Sequence, residues 1–152
     1  MNELATAELL GRMHIFAGLD DAALSALTAA CRRSEGKPGE WIVREGTSGR
    51  EMYLIESGGV EVVKGAGTPY EKVLASLGPG NFFGEMSLIE CMIRSASIRC
   101  SEASSFYSLR NEDLLKLFQQ RPDQYAILIL NIARDLSRRL RAMDEVFAAR
   151  AF

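Results

Sequence analysis

Histidine is almost missing from this chain: His14 is the single one in 152 residues. A histidine-based catalytic triad and a metal centre built from several imidazoles both need more, so neither chemistry is expected. His14 itself reads as an ordinary polar residue of the N-terminal segment. Cysteine is scarce as well. Cys31, Cys91 and Cys100 are odd in number, widely spaced and free of any Cys-x-x-Cys pair. They read as reduced thiols of a cytoplasmic protein, with no metal or iron–sulfur role. No run of about 18 apolar residues occurs, so no membrane span is expected. Met1-Asn2-Glu3-Leu4 lacks the basic start of a secretory signal. An excess of one charge is lacking too. The 18 Lys and Arg against 20 Asp and Glu leave a net charge of −2, so the whole chain has no electrostatic footprint for nucleic acid.

What is present is ordinary for a globular domain: 47% apolar and 25% charged residues, in a length that suits one domain with a real core. Three segments follow one another. Residues 1–33 read as helical: a loose apolar pattern runs over Leu4 to Met13. Asp20 is placed to cap a helix over Ala22 to Cys31, with Ala23, Leu24, Leu27 and Ala30 at helical spacing. Residues 34–110 change period. Glycines recur from Gly36 to Gly84 between short β-rich runs such as Trp41-Ile42-Val43, Met52 to Ile55, Val60 to Val63, Val73 to Leu77, Ser97 to Cys100 and Ser105 to Leu109. Short strands with frequent turn signals predict a β jelly-roll barrel flanked by helices, an α+β chain that is mainly β. Gly65-Ala66-Gly67 reads as a hairpin tip. Residues 111–152 turn helical again, with Asn111 as N-cap of a helix to Gln119. After Arg121-Pro122-Asp123 a long helix runs from about Asp123 to Ala149. Ile129, Ile132, Leu136, Leu140, Met143 and Phe147 form one stripe on it, suited to packing on the barrel at its start and on a partner helix at its end. Arg138, Arg139 and Arg141 form a basic cluster that reads as a solvated face.

The densest chemistry lies in Asn81-Phe82-Phe83-Gly84-Glu85-Met86-Ser87-Leu88-Ile89, closed by Arg94-Ser95-Ala96. Gly84 has no Cβ and lets the backbone pass close to a ligand. Glu85 can accept hydrogen bonds from hydroxyls. One or two helical turns over Glu85 to Ile89 would aim free N–H groups at an anion. Arg94 offers a planar fork that fits two phosphate oxygens, and Ser95 adds a donor beside it. An anion, a vicinal polar group and an apolar ring describe the ligand that suits such a loop.

The loop resembles the phosphate-binding cassette of the cyclic-nucleotide-binding domains, the family of the bacterial catabolite activator, the regulatory subunit of protein kinase A and the cyclic-nucleotide-gated channels. The fixed positions are met by Phe83, Gly84, Glu85, Ser87, Leu88, Arg94, Ser95 and Ala96. Ile55-x-x-Gly58-x-Val60-x-Val62 resembles the family's glycine-punctuated strand pair. The resemblance runs from about Ile15 to Met143. It implies that Glu85 takes the ribose 2′-hydroxyl and Arg94 the phosphate. Gly84, Met86, Ser87 and Ser95 are then the donors around that phosphate, within a cassette at 82–96. It also implies that residues near Val62 and Leu74 line the base and ribose pocket, though both equally suit barrel core. Arg139 and Leu140 stand where the catabolite activator places hydroxyls that read adenine, and Arg139 is a candidate to cap the base.

The expected function is reversible binding of cAMP or cGMP by a sensor module that is not an enzyme and needs no cofactor. The signal would pass through movement of the C-terminal helix to a protein partner or a second copy. Two other readings stand beside it. One is the ligand-sensing half of a catabolite-activator-type transcription regulator or of a channel. The other is a structural or interaction domain that kept the barrel and lost the ligand, against which an intact Glu85 and Arg94 speak. A cupin-like metalloenzyme shares the barrel style but needs several histidines. With the sequence ending at Phe152, no recognition helix is in view, and DNA binding by this chain alone is not expected.

Overall fold

Between Arg32 and Arg110 the chain is cut by turns into short extended runs that pair into two sheets. The computed structural model describes residues 3–85 and 93–150. Among these the strands are β1 (Arg32–Gly36), β2 (Trp41–Val43), β3 (Glu51–Ser57), β4 (Val60–Lys64), β5 (Lys72–Leu77), β6 (Phe82–Phe83), β7 (Ser97–Cys100) and β8 (Ser104–Arg110). One sheet has the order β1-β8-β3-β6 and the other β2-β7-β4-β5, with every pairing antiparallel. Apart from the β4–β5 hairpin, each strand lies in the sheet opposite its predecessor, which winds the chain into a β-roll. The helices are α1 (Glu3–Gly11), α2 (Asp21–Ala30), α3 (Asn111–Gln120) and α4 (Pro122–Arg150), with a 3₁₀ turn at His14–Phe16.

The two faces of the first sheet explain why its strands are so apolar. One face meets the second sheet, where Ile55, Val60, Phe83, Ile98, Cys100 and Phe106 close the interior of the roll. The other face meets the helices, where Met52, Leu54, Phe82, Tyr107 and Leu109 pack with Leu10, Leu27, Leu117, Leu128 and Ile132. A sheet covered on both sides carries near-continuous hydrophobic runs. The second sheet has water on its outer side, and its edge strand β5 is exposed along most of its length.

Local signals set the helix ends. The carboxylate of Asp20 accepts the N–H of Ala23 at 2.9 Å, satisfying one of the free donors of the first turn. The backbone N–H of Asp20 in turn donates to Gln124 on α4 at 2.8 Å. Asn131, also on α4, donates to the carbonyls of Ile15 and Ala17 at 2.9 and 2.8 Å. These bonds sew the first half of α4 to the N-terminal segment. Pro122 opens α4, where its missing N–H costs nothing. The N-cap of α3 is one residue earlier than the sequence suggests. Arg110 holds the position, with its N–H bonded to the Asp113 carboxylate at 2.8 Å. Asn111 lies inside the helix and donates its N–H to Arg50 O.

Ile129, Ile132 and Leu136 contribute to the core, whereas Leu140, Met143, Val146 and Phe147 are exposed. The positions 129, 132 and 136 recur eleven residues later at 140, 143 and 147. An eleven-residue repeat stays close to the natural winding of an α-helix, so one straight stripe runs from the core out along the free part of α4. Burial pushes the Cys31 thiol up to about 12, which keeps it protonated and inert. Cys91 lies outside the described residues.

Candidate functional site

β6 is only two residues long, Phe82–Phe83, paired with Leu54 and Tyr53 of β3. Phe83 stacks on Tyr53 with ring centroids 5.0 Å apart and meets Phe106 edge-on at 5.7 Å, so its direction is fixed inside the roll. The chain then turns at Gly84 with φ +82°, a conformation that side chains with a Cβ resist. The turn places Glu85 immediately beyond the strand, almost fully buried at 6% exposure.

Arg94 approaches from the other side of the cassette and is 8% exposed. Its guanidinium donates to Gly84 O at 3.2 Å and to Glu51 O at 2.9 Å. Among the described residues it forms no ion pair with a carboxylate. A buried cation whose hydrogen bonds among the described residues go to carbonyl oxygens can still take a direct anionic partner. Burial pulls the Arg94 guanidinium below its ordinary value, opposed by the nearby Tyr53, Glu51 and Glu85. Glu85 is pushed up, first by burial and further by Asp135. A backbone hydrogen bond and the charges of Arg139 and Arg94 work against that rise.

Arg139 reaches this corner from α4. It donates to Phe82 O at 2.9 Å, and its guanidinium carbon lies 4.5 Å from the centroid of the Phe82 ring. Its Nη1 is 3.8 Å from a Glu85 carboxylate oxygen, and its Nε is 2.7 Å from Asp135 one turn earlier. One guanidinium thus serves two carboxylates, a carbonyl and an aromatic face.

Phe83, Gly84, Glu85, Arg94, Ser95, Ala96, Val62 and Arg139 line one cavity of about 130 Å³, together with Val43, Leu77, Ile93 and Ile98. Its lining combines the polar Glu85, Arg94, Ser95 and Arg139 with apolar side chains of the roll such as Val43, Val62, Leu77 and Ile98, a mixture suited to a ligand with an anionic part and a ring. Leu74 is absent from this lining and 51% exposed. A register irregularity between Val62 and Val63 pairs them with Ala75 and Val73, leaving Leu74 opposite neither, and Leu77 reaches the cavity instead. Met86 and Ser87, and the helical turns expected after Glu85, lie outside the described residues. The backbone carbonyl of Ser95 accepts from the Lys64 ammonium at 2.7 Å.

Sequence reasoning passed over Val43 and Ile98, which meet across the β2–β7 pairing, and over Asp135, whose spacing of four from Arg139 was a legible signal of helical pairing. Among the described residues no group of three or more His, Cys, Asp or Glu could hold a metal ion. No helix among them is long and apolar enough to cross a membrane.

Comparison with known proteins agrees with this geometry. The family description "Cyclic nucleotide-binding domain" matches residues 33–121. The cyclic AMP receptor protein of Thermus thermophilus is 39% identical over 110 residues, covering 72% of this chain and 48% of that protein. The cyclic nucleotide-gated channel alpha-4 of Mus musculus is 33% identical over 126 residues, 78% of this chain and 21% of the channel. A cyclic nucleotide-binding domain from Methylobacillus flagellatus has the same fold, with a TM-score of 0.83 at 24% identity over 96% of this chain and 83% of that one. The chain belongs to the cyclic nucleotide-binding domain family. It spans about half the length of the receptor protein it resembles and about a fifth of the channel.

Proposed function

We propose that this chain binds cAMP or cGMP in the Glu85–Arg94 cavity and acts as a regulatory sensor rather than an enzyme. The observation that carries the reading is Arg94: a buried guanidinium, held by two carbonyls, in the wall of a cavity otherwise lined largely by apolar residues. A cyclic phosphate would give the Arg94 fork the direct anionic partner that the two carbonyls do not, and charge-assisted bonds to a fork of donors are the strong kind. Glu85 accepts the ribose 2′-hydroxyl. Phe83, Gly84, Ser95 and Ala96 frame the phosphate and ribose from the cassette, with Met86 and Ser87 as further donors. Val62 and Leu77 face the base, and Arg139 closes over it from α4. The exposure of Leu74 supports a place for it beyond the cavity rim, not on the base.

Output runs through α4. Arg139 touches both Glu85 and the barrel, so a ligand that occupies Glu85 changes what Arg139 can hold. Such a ligand shifts the position of α4 only by its differential affinity for the two arrangements. The exposed end of the helix stripe is the surface offered to a second copy or a protein partner. The 39% identity over 110 residues to a cyclic AMP receptor protein supports one further form of this reading, in which the same module is the sensing half of a longer regulator.

Calorimetric titration with cAMP, cGMP and the open-chain 5′-monophosphates tests the site. Binding of a cyclic nucleotide by the wild type is expected, with a loss of roughly 30-fold to 1000-fold in Arg94→Ala, about 2–4 kcal/mol. Unchanged affinity in that variant removes Arg94 as the phosphate clamp.

A further inference from the structure

Gly49, in the loop between β2 and β3, is not among the glycines with positive φ, so backbone conformation does not explain why glycine stands there. Space does. A Cβ placed on Gly49 overlaps the Nε, Cζ and Nη2 atoms of Arg94. A Cβ on Gly84 would stand 2.6 Å from Nη1 of the same guanidinium and 2.9 Å from Glu51 O. The Arg94 head group therefore lies against two residues that have no side chain, one on each of two loops far apart in sequence.

The loop that carries Gly49 also grips the backbone of Arg94. The N–H of Arg94 donates to Thr47 O at 2.7 Å, and Arg94 O accepts the N–H of Gly46 at 2.9 Å. Ser48 and Ile93 form an isolated antiparallel bridge beside them. Main chain and head group of one arginine are thus held by the same short loop. A larger residue at 49 leaves the main-chain grip in place but drives the guanidinium along its flexible stem, away from Gly84 O and Glu51 O. Two-point recognition of a phosphate depends on the orientation of the fork.

We propose that Gly49 is a positioning residue for the phosphate clamp: its missing side chain sets where the Arg94 guanidinium stands, and with it the affinity for a cyclic phosphate. The proposal rests on the reading of Arg94 as that clamp. Calorimetric titration with cAMP and cGMP, alongside thermal melting without ligand, is applied to the full chain as wild type, Gly49→Ala, Arg94→Ala and the double variant. Gly49→Ala is expected to bind at least tenfold more weakly than wild type. In the Arg94→Ala background the same change is expected to shift affinity less than twofold and to leave the melting temperature where Arg94→Ala alone puts it, because the overlapping atoms are gone. Wild-type affinity in Gly49→Ala overturns the proposal, and so does an equal loss in both backgrounds, which marks ordinary loop packing. Should Gly49→Ala fail to fold, the melting temperatures of Arg94→Ala and the double variant decide: coincidence supports the proposal and a further drop overturns it. A wild type that takes neither nucleotide overturns the reading of the site, and with it the ligand half of the proposal.

Discussion

Arg139 of the last helix is fastened to Phe82 of the strand that launches the cassette, by a 2.9 Å bond to its carbonyl and by lying over its ring. The helix is therefore docked on the barrel through the same short stretch that holds Gly84 and Glu85. On the proposed reading of the site, docking and ligand binding share residues, so a ligand on Glu85 would bear on how the helix sits.

Arg139→Ala removes the carbonyl bond, the ring contact and the ion pair to Glu85 together. The side chain is 29% exposed, which limits the ionic part. A hydrogen bond and a partly desolvated cation–π contact together are worth about 1–2 kcal/mol. Amide exchange in α4 beyond residue 136 is expected to quicken in this variant while exchange in β3 and β8 stays slow. Unchanged exchange there would show that the helix does not depend on this contact.

Glu85 gives the pH dependence. Its folded pKa lies above the ordinary 4.5, chiefly through burial. Above that ordinary value the folded state holds its proton more tightly than the unfolded chain, so the unfolded chain binds fewer protons. Stability from this group is thus fully present below about pH 4.5 and falls as pH rises through the folded pKa. Glu85→Gln has no charge to bury. It is expected to melt higher than wild type at pH 7 without ligand, to lose that advantage near pH 4, and to bind cyclic nucleotide more weakly. Melting curves at several pH values decide the first two points; a lower melting temperature at pH 7 would make Glu85 a net stabiliser.

The exposed stripe on α4 gives the third. Met143 and Phe147 are 61% and 77% exposed, so charging them removes little intramolecular packing. Met143→Glu with Phe147→Glu is expected to leave the melting temperature of the isolated chain within a few degrees and to abolish self-association in sedimentation velocity. A wild type that stays monomeric at high concentration would point to a different protein as the partner of this face.

Much of the fold was legible because its signals are local. The capping of α2 by Asp20, the hairpin at 65–67 and the long amphipathic α4 each follow from residues a few positions apart. β1 escaped notice because Arg32–Gly36 is charged and mostly exposed; it is a strand because β8 pairs with it. β6 is too short to show a period. In the site, the spacing from Phe83 to Arg94 was readable, and the structure brings Phe83, Gly84, Glu85 and Arg94 to one cavity. Leu77 and not Leu74 lines the cavity: alternation separates the two leucines, but which of them faces inward is set by the pairing with β4, which the sequence does not show. Gly49 looked like any turn glycine, because its contact with Arg94 spans the whole β3–β6 stretch of chain.

The straight stripe of α4 makes that helix a lever. It is pinned at Ile132, which is 1% exposed, while Phe147 stands about 22 Å further along at the usual rise per residue. A tilt of about 10° at the pin carries the tip through about 4 Å, close to the width of a side chain, on the same helical rise. On the signalling route proposed above, such a tilt would have to release Arg139 from Phe82, and at the far end it would be enough to dislodge one apolar residue from the hollow of a neighbour.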